Sequence, residues 1–347
     1  MKIATMIGIG AAAGLVWIAA AQQEHHSMEH GHGKGGMRHG PMSMMGTLPE
    51  EVGAAGRDLS SARIDLGRML YYDPRLSSGR DVSCNSCHPL DKYGVDGKAR
   101  SSGHKGQLGG RNAPTVYNAA GHVAQFWDGR AADVEEQAKG PVMNPVEMAM
   151  SSPADVEKTL QSIPGYVKAF RKAFPGEKDP VTFDNMAIAI GAFERKLVTP
   201  SRWDRWLKGD SGALSAEEMD GWHVFHMAGC QTCHSGPFAG GQVYRKLGQV
   251  HGYPDLNDAG RFDVTKKEED RGVFKVPSLR NVAKTGPWFH DGSITSLEDA
   301  IRLMAHHQLG RELTSAEVRS LVAFLNSLTG DLPRGYIRPP KLPADGM

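Results

Sequence analysis

Toward the C-terminal end, Val318, Leu321, Val322 and Leu325 fall three and four positions apart, the spacing that lines one face of a helix. Thr314-x-x-Glu317, just before them, fits a capping box, in which the two side chains satisfy free amides of the first turn. Gly330 is the stop signal. The same start pattern precedes two other apolar-periodic runs, at Ser215-x-x-Glu218 and Thr295-x-x-Glu298. Ser152-Pro153-Ala154-Asp155 adds a cap residue, a proline at the first helical position and an acid in the first turn. No run alternates convincingly as a strand would. The pattern predicts a mostly α fold with long glycine-rich loops from Thr47 onward.

The N-terminal residues read differently. Lys2 is followed by an apolar stretch from Ile3 to Ala21, closing on Ala19-Ala20-Ala21 before Gln22. A positive start, an apolar segment and an Ala-x-Ala-like site make 1–21 a secretory signal peptide. An uncleaved membrane anchor is the alternative, since about 19 apolar residues just span a bilayer. Either reading puts the folded part outside the cytoplasm. Residues 22–46 hold five histidines (His25, His26, His30, His32, His39) and five methionines without an apolar period, so this segment is expected to be disordered. It reads as a solvated tether, with copper capture as the alternative, because imidazole and thioether are both copper ligands.

Composition changes the picture only modestly. Forty per cent hydrophobic and 23% charged residues suit a soluble globular protein with a sizeable core. A formal net charge of +1 carries no footprint of a nucleic-acid partner. The 347 residues suggest two domains, and an internal repeat supports this. Pro114-Thr-Val-Tyr-Asn118 is followed by Phe126-Trp127-Asp128-Gly129, and Pro277-Ser-Leu-Arg-Asn281 is followed at the same spacing by Phe289-His290-Asp291-Gly292. The expected division is 47–200, 201–330, and a tail 331–347 that packs back on the first domain.

Each repeat copy follows a Cys-x-x-Cys-His motif: Cys84-Asn-Ser-Cys87-His88 and Cys230-Gln-Thr-Cys233-His234. Two thiols three positions apart can form thioethers to one porphyrin, and the adjacent histidine then reaches the iron axially. A redox dithiol, a disulfide or a four-cysteine zinc site would each leave that histidine unexplained twice. The zinc site would also need ligand pairs 143 positions apart, from Cys87 to Cys230. The chain has no other cysteine. Each domain is therefore expected to be cytochrome c-like, with one covalently bound c-type haem.

Several stretches resemble those of the bacterial di-haem cytochrome c peroxidases: both haem motifs, Gly103-His104, Arg111-Asn112-Ala113-Pro114-Thr115, Phe126-Trp127-Asp128-Gly129-Arg130-Ala131, Asn144-Pro145-Val146-Glu147-Met148 and Phe289-His290-Asp291-Gly292-Ser293. The resemblance implies a periplasmic enzyme that reduces hydrogen peroxide to water with electrons from a small redox protein, such as a mono-haem cytochrome c or a cupredoxin. It implies that electrons enter at the C-terminal haem and pass to the N-terminal one, and that the chain forms a homodimer. His88 would be the proximal ligand of the peroxidatic first haem, and His104 its second ligand in the oxidised resting state. The second haem would take His234 and Met304, with His306 and His307 as nearby competitors. A related di-haem enzyme that matures methylamine dehydrogenase has tyrosine at the Met304 place. Glu147 matches the catalytic glutamate and Gln137 its hydrogen-bonding companion. Trp127 matches an aromatic residue between the haems. Asn112, Thr285 and Pro287 match an inter-domain Ca²⁺ site, the last two through carbonyls, with water completing the shell.

Two readings from other classes stay open. A non-enzymatic electron carrier would keep both irons six-coordinate, though it has no use for a Gln137–Glu147 pair. An enzyme of the same fold could oxidise another substrate.

Overall fold

The computed structural model describes residues 45–345 except 54 and 255. The expected signal peptide or anchor, and nearly all of the His/Met-rich segment, lie outside the described residues. The last two residues of that segment belong to the fold. Met45 is fully buried, and the Gly46 carbonyl accepts from Arg280 Nη2 at 3.0 Å.

Eleven α-helices among the described residues carry the architecture: α1 (Ser61–Tyr72), α2 (Cys84–Cys87), α3 (Val134–Met143), α4 (Pro153–Gln161), α5 (Pro164–Ala173), α6 (Phe183–Glu194), α7 (Arg202–Leu207), α8 (Ala216–Ala228), α9 (Phe262–Thr265), α10 (Leu297–Leu309) and α11 (Ser315–Ser327). Among the described residues only β1 (Tyr244–Lys246) and β2 (Val273–Lys275) pair as strands, antiparallel with Arg245 opposite Phe274. Among the described residues no helix is long and apolar enough to cross a membrane.

The sequence signals act much as their chemistry requires. Ser215 and Glu218 form the capping box of α8, and Thr314 and Glu317 that of α11. Ser152 caps α4, its side chain accepting from the Asp155 amide. One start shifts by a residue. Ser296, not Thr295, caps α10 and accepts from Asp299 N at 3.2 Å. Both side chains can cap a helix, so the path of the incoming loop decides which one does. Helix α11 stops at Ser327, short of the Gly330 stop signal.

Two hydrophobic clusters follow the two motif-bearing stretches. The first gathers α1, α3, α4, α5 and α6, and includes Ile337, with Leu332 and Tyr336 packed on it. The tail is fastened there by Tyr336 Oη donating to Phe193 O (2.7 Å) and Tyr72 Oη donating to Ile337 O (2.6 Å). The second gathers α7, α8 and α11 with Met45. Each cluster is built on one close helix crossing that only glycine allows. A Cβ on Gly67 of α1 would come to 1.8 Å from Ala189 O of α6, and one on Gly221 of α8 to 1.9 Å from Ser320 O of α11. Aromatic rings pack beside each crossing: Tyr71 edge-on to Phe193, and Trp222 against Phe324.

The internal repeat is equally visible in the backbone. Asn118 and Asn281 both take left-handed φ (62° and 63°), as do Phe126 and Phe289 (65° and 67°). Matching antiparallel bridges, Gln125 with Ala131 and Trp288 with Ile294, follow in each copy. The two asparagines meet at one buried hydroxyl. Asn118 Nδ2 and Asn281 Nδ2 donate to Thr199 Oγ1 at 2.9 and 2.8 Å. Thr199 thus joins the two copies near residue 200, where the sequence changes from one motif unit to the next.

Candidate functional site

Both haem motifs present their histidine in the same way. In the first, α2 carries Cys84 and Cys87, and the His88 amide donates to Cys84 O at 2.9 Å. Tyr93 and Gly94 turn through left-handed φ and aim the Gly94 carbonyl at His88 Nδ1, 3.2 Å away. In the second, His234 N donates to Cys230 O at 3.0 Å, and His234 Nδ1 lies 3.4 Å from Ala239 O, at a turn through Ala239, Gly240 and Gly241. The carbonyls of Pro114 and Pro277, the first residues of the two repeat copies, lie against the same two rings. One function of the repeat is therefore to orient an imidazole.

Burial is the main cause that lowers both histidines below the ordinary value, His234 to about 4. Each ring is neutral, with its Nδ1–H turned to a carbonyl and Nε2 left as an acceptor for a metal. All four cysteines are unpaired, which removes the disulfide alternative. Burial pushes the Cys230 thiol up to about 11, and Cys84 is raised further. Among the described residues no group of three His, Cys, Asp or Glu could hold a metal ion by itself.

An apolar cavity opens beside the second motif, lined by Cys230, Cys233 and His234 and by Leu279, Leu297 and Ile301. Met304 lines it from α10. Its competitors are engaged elsewhere: His306 Nδ1 is 2.5 Å from Glu312 Oε1, and His307 Nδ1 is 3.0 Å from the His251 carbonyl. An apolar pocket with two thiols, a neutral imidazole and a facing thioether fits a c-type haem.

Around the first motif, two loops meet. The loop after α3 carries Glu147 and is held by Met148 N donating to Pro141 O (3.1 Å) and Ser78 N donating to Met148 O (2.8 Å). The loop 101–109 carries His104 and begins at Ser101, beside the Cys87 thiol. Gly103 lets the loops touch, since a Cβ there would sit 2.2 Å from Val146 O. His104 Nδ1 is buried with no hydrogen-bond partner among the described residues, an orphaned polar atom on this loop. Burial raises the Glu147 carboxyl above the ordinary value, opposed by the Arg130 charge and by a 2.7 Å hydrogen bond from Asn144 Nδ2. Its negative charge is felt at both Cys84 and Cys87, which puts it on the first motif.

Gln137 lies on α3, but the side chain that binds Glu147 is Asn144. Sequence reasoning missed Asn144 as a site residue. Its only signal was membership of the Asn144-Pro145-Val146-Glu147 stretch, where a short amide three residues before a carboxylate suits a tight turn.

Trp127 Nε1 donates to Asn112 O (2.9 Å), and Asn112 N donates to the carbonyl of His290 (2.7 Å), the repeat counterpart of Trp127. The left-handed Phe126 and Phe289 precede these two side chains, and both Trp127 and His290 line the cavity. Asn112 Nδ2 is turned to Lys98 O and Ala99 O, leaving Oδ1 as the acceptor. Asn112, Thr285 and Pro287 line the same cavity. They offer neutral oxygens of the hard type that Ca²⁺ takes.

Residues 61–212 match the model of a family described as di-haem cytochrome c peroxidase. The chain is 49% identical over 304 residues to the cytochrome c551 peroxidase of Pseudomonas aeruginosa, covering 86% of this chain and 87% of that protein. It is 50% identical over 271 residues to the cytochrome c551 peroxidase of Nitrosomonas europaea, covering 78% and 80%. Among solved structures, a MauG-like protein associated with microbial copper homeostasis superposes with a TM-score of 0.76 at 28% identity, covering 84% of this chain and 97% of that one.

Proposed function

The chain belongs to the di-haem cytochrome c peroxidase family, and we propose that it reduces hydrogen peroxide to two waters at the first motif, with electrons that enter at the second. The observation that carries this reading is the meeting of the Glu147 and His104 loops beside Cys84 and Cys87. When bound, the two haems supply an iron that can take peroxide and a second centre that stores and passes an electron.

This chain's own residues do the rest. Cys84, Cys87 and His88 would hold the first haem; Cys230, Cys233, His234 and Met304 would hold the second. His104, with its orphaned Nδ1, would be the side chain that closes the first haem site in the oxidised protein and moves aside on reduction. Splitting peroxide needs a proton taken from one oxygen and delivered to the other. The Glu147 carboxyl, raised by burial and oriented by Asn144, performs that transfer. Gln137 shares the distal side. Trp127, hydrogen-bonded to Asn112, bridges the two sites. Asn112 Oδ1 and the carbonyls of Thr285 and Pro287 would hold a Ca²⁺ that ties the two motif units together. The donor is a small redox protein such as a mono-haem cytochrome c or a cupredoxin, the enzyme is a homodimer, and it works in the periplasm.

The deciding experiment measures peroxide consumption by the Ca²⁺-loaded holoprotein, as isolated and after one-electron reduction, while the haem spectrum is recorded. Turnover that rises on reduction together with a high-spin signal supports the peroxidase and its switch. No turnover in either state, with both haems low-spin, would return the chain to the electron carriers.

A further inference from the structure

Lys275 is the last residue of β2 and is only 8% exposed, yet among the described residues it has no carboxylate partner. Its backbone amide is spent on Trp127 O at 2.8 Å. Among the described residues its ammonium has one hydrogen-bond partner, His122 Nδ1 at 3.3 Å. That contact makes His122 Nδ1 the acceptor and leaves the proton on Nε2, which is buried without a partner. Burial alone lowers the lysine to about 8 and keeps the histidine neutral, with the lysine charge adding to the latter.

Both side chains line the apolar cavity that holds Cys230, Cys233, His234 and Met304. The ammonium keeps donors to spare and the imidazole one, in surroundings where an unpaired charge is costly. The missing partner must be an anionic acceptor that enters with whatever fills the cavity. A c-type haem brings two such groups, its propionates.

We propose that Lys275 and His122 form the binding site for a propionate carboxylate of the second haem, with Lys275 as its counter-charge. The inference rests on the reading of the chain as a di-haem protein. The pair then does more than anchor the ring. A fixed cation close to the haem favours the reduced state, which carries one positive charge fewer than the oxidised one. Lys275 thus helps keep the second haem the better electron acceptor, beside the Met304 thioether. Because its amide is bonded to Trp127, the anchor is also tied to the strip of chain between the two motifs.

The test is a spectroelectrochemical titration of the holoprotein, with covalent haem counted on the denatured chain. Lys275→Gln should lower the midpoint of the higher-potential haem and leave the other unchanged, while Lys275→Arg should keep both near wild type. An unchanged higher midpoint in Lys275→Gln, with two haems attached, overturns the proposal. Should Lys275→Gln not accumulate with both haems, resonance Raman spectra of wild type and Lys275→Arg decide. The propionate bending band of the second haem must shift between them, and coincident bands overturn the proposal. A wild-type chain carrying fewer than two haems would instead refute the di-haem reading itself.

Discussion

The backbone N–H of His104 donates a 2.7 Å hydrogen bond to the carbonyl of Glu147. This bond, with Gln107 Nε2 donating to Pro145 O at 3.4 Å, joins the loop that carries a candidate iron ligand to the loop that carries a candidate proton carrier. Gly103 makes the approach possible, and the lysine and glycine after His104 take left-handed φ (55° and 74°), so the loop turns back on itself at once. A short loop of this kind can move as a unit at low cost. If it moves, the carbonyl of Glu147 loses its partner, and gating and proton transfer are coupled through one peptide group.

Glu147→Gln keeps the shape and the Asn144 contact but cannot carry a proton. Both haem spectra should stay those of wild type while peroxide turnover falls about 10²- to 10⁴-fold, the usual share of general acid–base catalysis. Steady-state peroxide consumption checks this. Turnover equal to wild type would remove Glu147 from the mechanism.

His104→Gly removes the imidazole and leaves the loop backbone able to reach Glu147. The oxidised protein should then show a high-spin first haem as isolated and consume peroxide without prior reduction. Electronic absorption and stopped-flow mixing of the oxidised variant with peroxide read the two effects. A resting spectrum that stays fully low-spin would mean that another group closes the iron.

Residue patterns exposed the haem motifs, the capping boxes of α8 and α11 and the repeat, because each is a local chemical requirement written at fixed spacing. The purpose of the repeat was not legible. That Pro114 and Pro277 face the two histidines, and that Asn118 and Asn281 share Thr199 Oγ1, depends on chain segments distant in sequence. The same holds for Lys275 and His122, 153 positions apart. Asn144 could have been suspected from its turn, yet nothing local says that its amide faces Glu147 rather than solvent.

Asp204 and Arg280 form a pair 2% and 0% exposed, 2.6 Å apart, which anchors the second cluster to the start of the fold. Burial pushes the Asp204 carboxyl up, but the Arg280 charge and the amides of Leu48 and Ser201 outweigh it and hold it below its ordinary 3.8. Arg280 also donates to Gly46 O and Pro237 O. Asp204→Ala strands the guanidinium and should cost about 3–5 kcal/mol. Denaturant unfolding of the holoprotein measures it. The wild-type contribution is present above pH 3.8 and fades as pH falls through the depressed folded value, so the gap between variant and wild type should close in acid. A loss below about 1 kcal/mol would rank the pair with surface ion pairs.

Glu194, at the end of α6, shows the opposite behaviour. Burial pushes its carboxyl up, the Glu135 carboxylate adds to this, and Arg195 opposes; the outcome is about 8. Arg195 cannot neutralise it fully, because its guanidinium is committed to Glu135 at 2.8 and 2.7 Å. The folded chain therefore keeps a proton that the unfolded chain releases near 4.5. Stability from this group is complete below pH 4.5 and is lost as pH rises toward 8. Glu194→Gln fills the same space without a charge to bury. Its stability should match wild type at low pH and exceed it by on the order of 1–3 kcal/mol at pH 9, where wild type must bury a carboxylate. Thermal unfolding of both holoproteins from pH 4 to 9 gives the comparison. Parallel curves would show that the folded and unfolded chains release the Glu194 proton at the same pH, and that its neighbourhood admits enough water to solvate the charge.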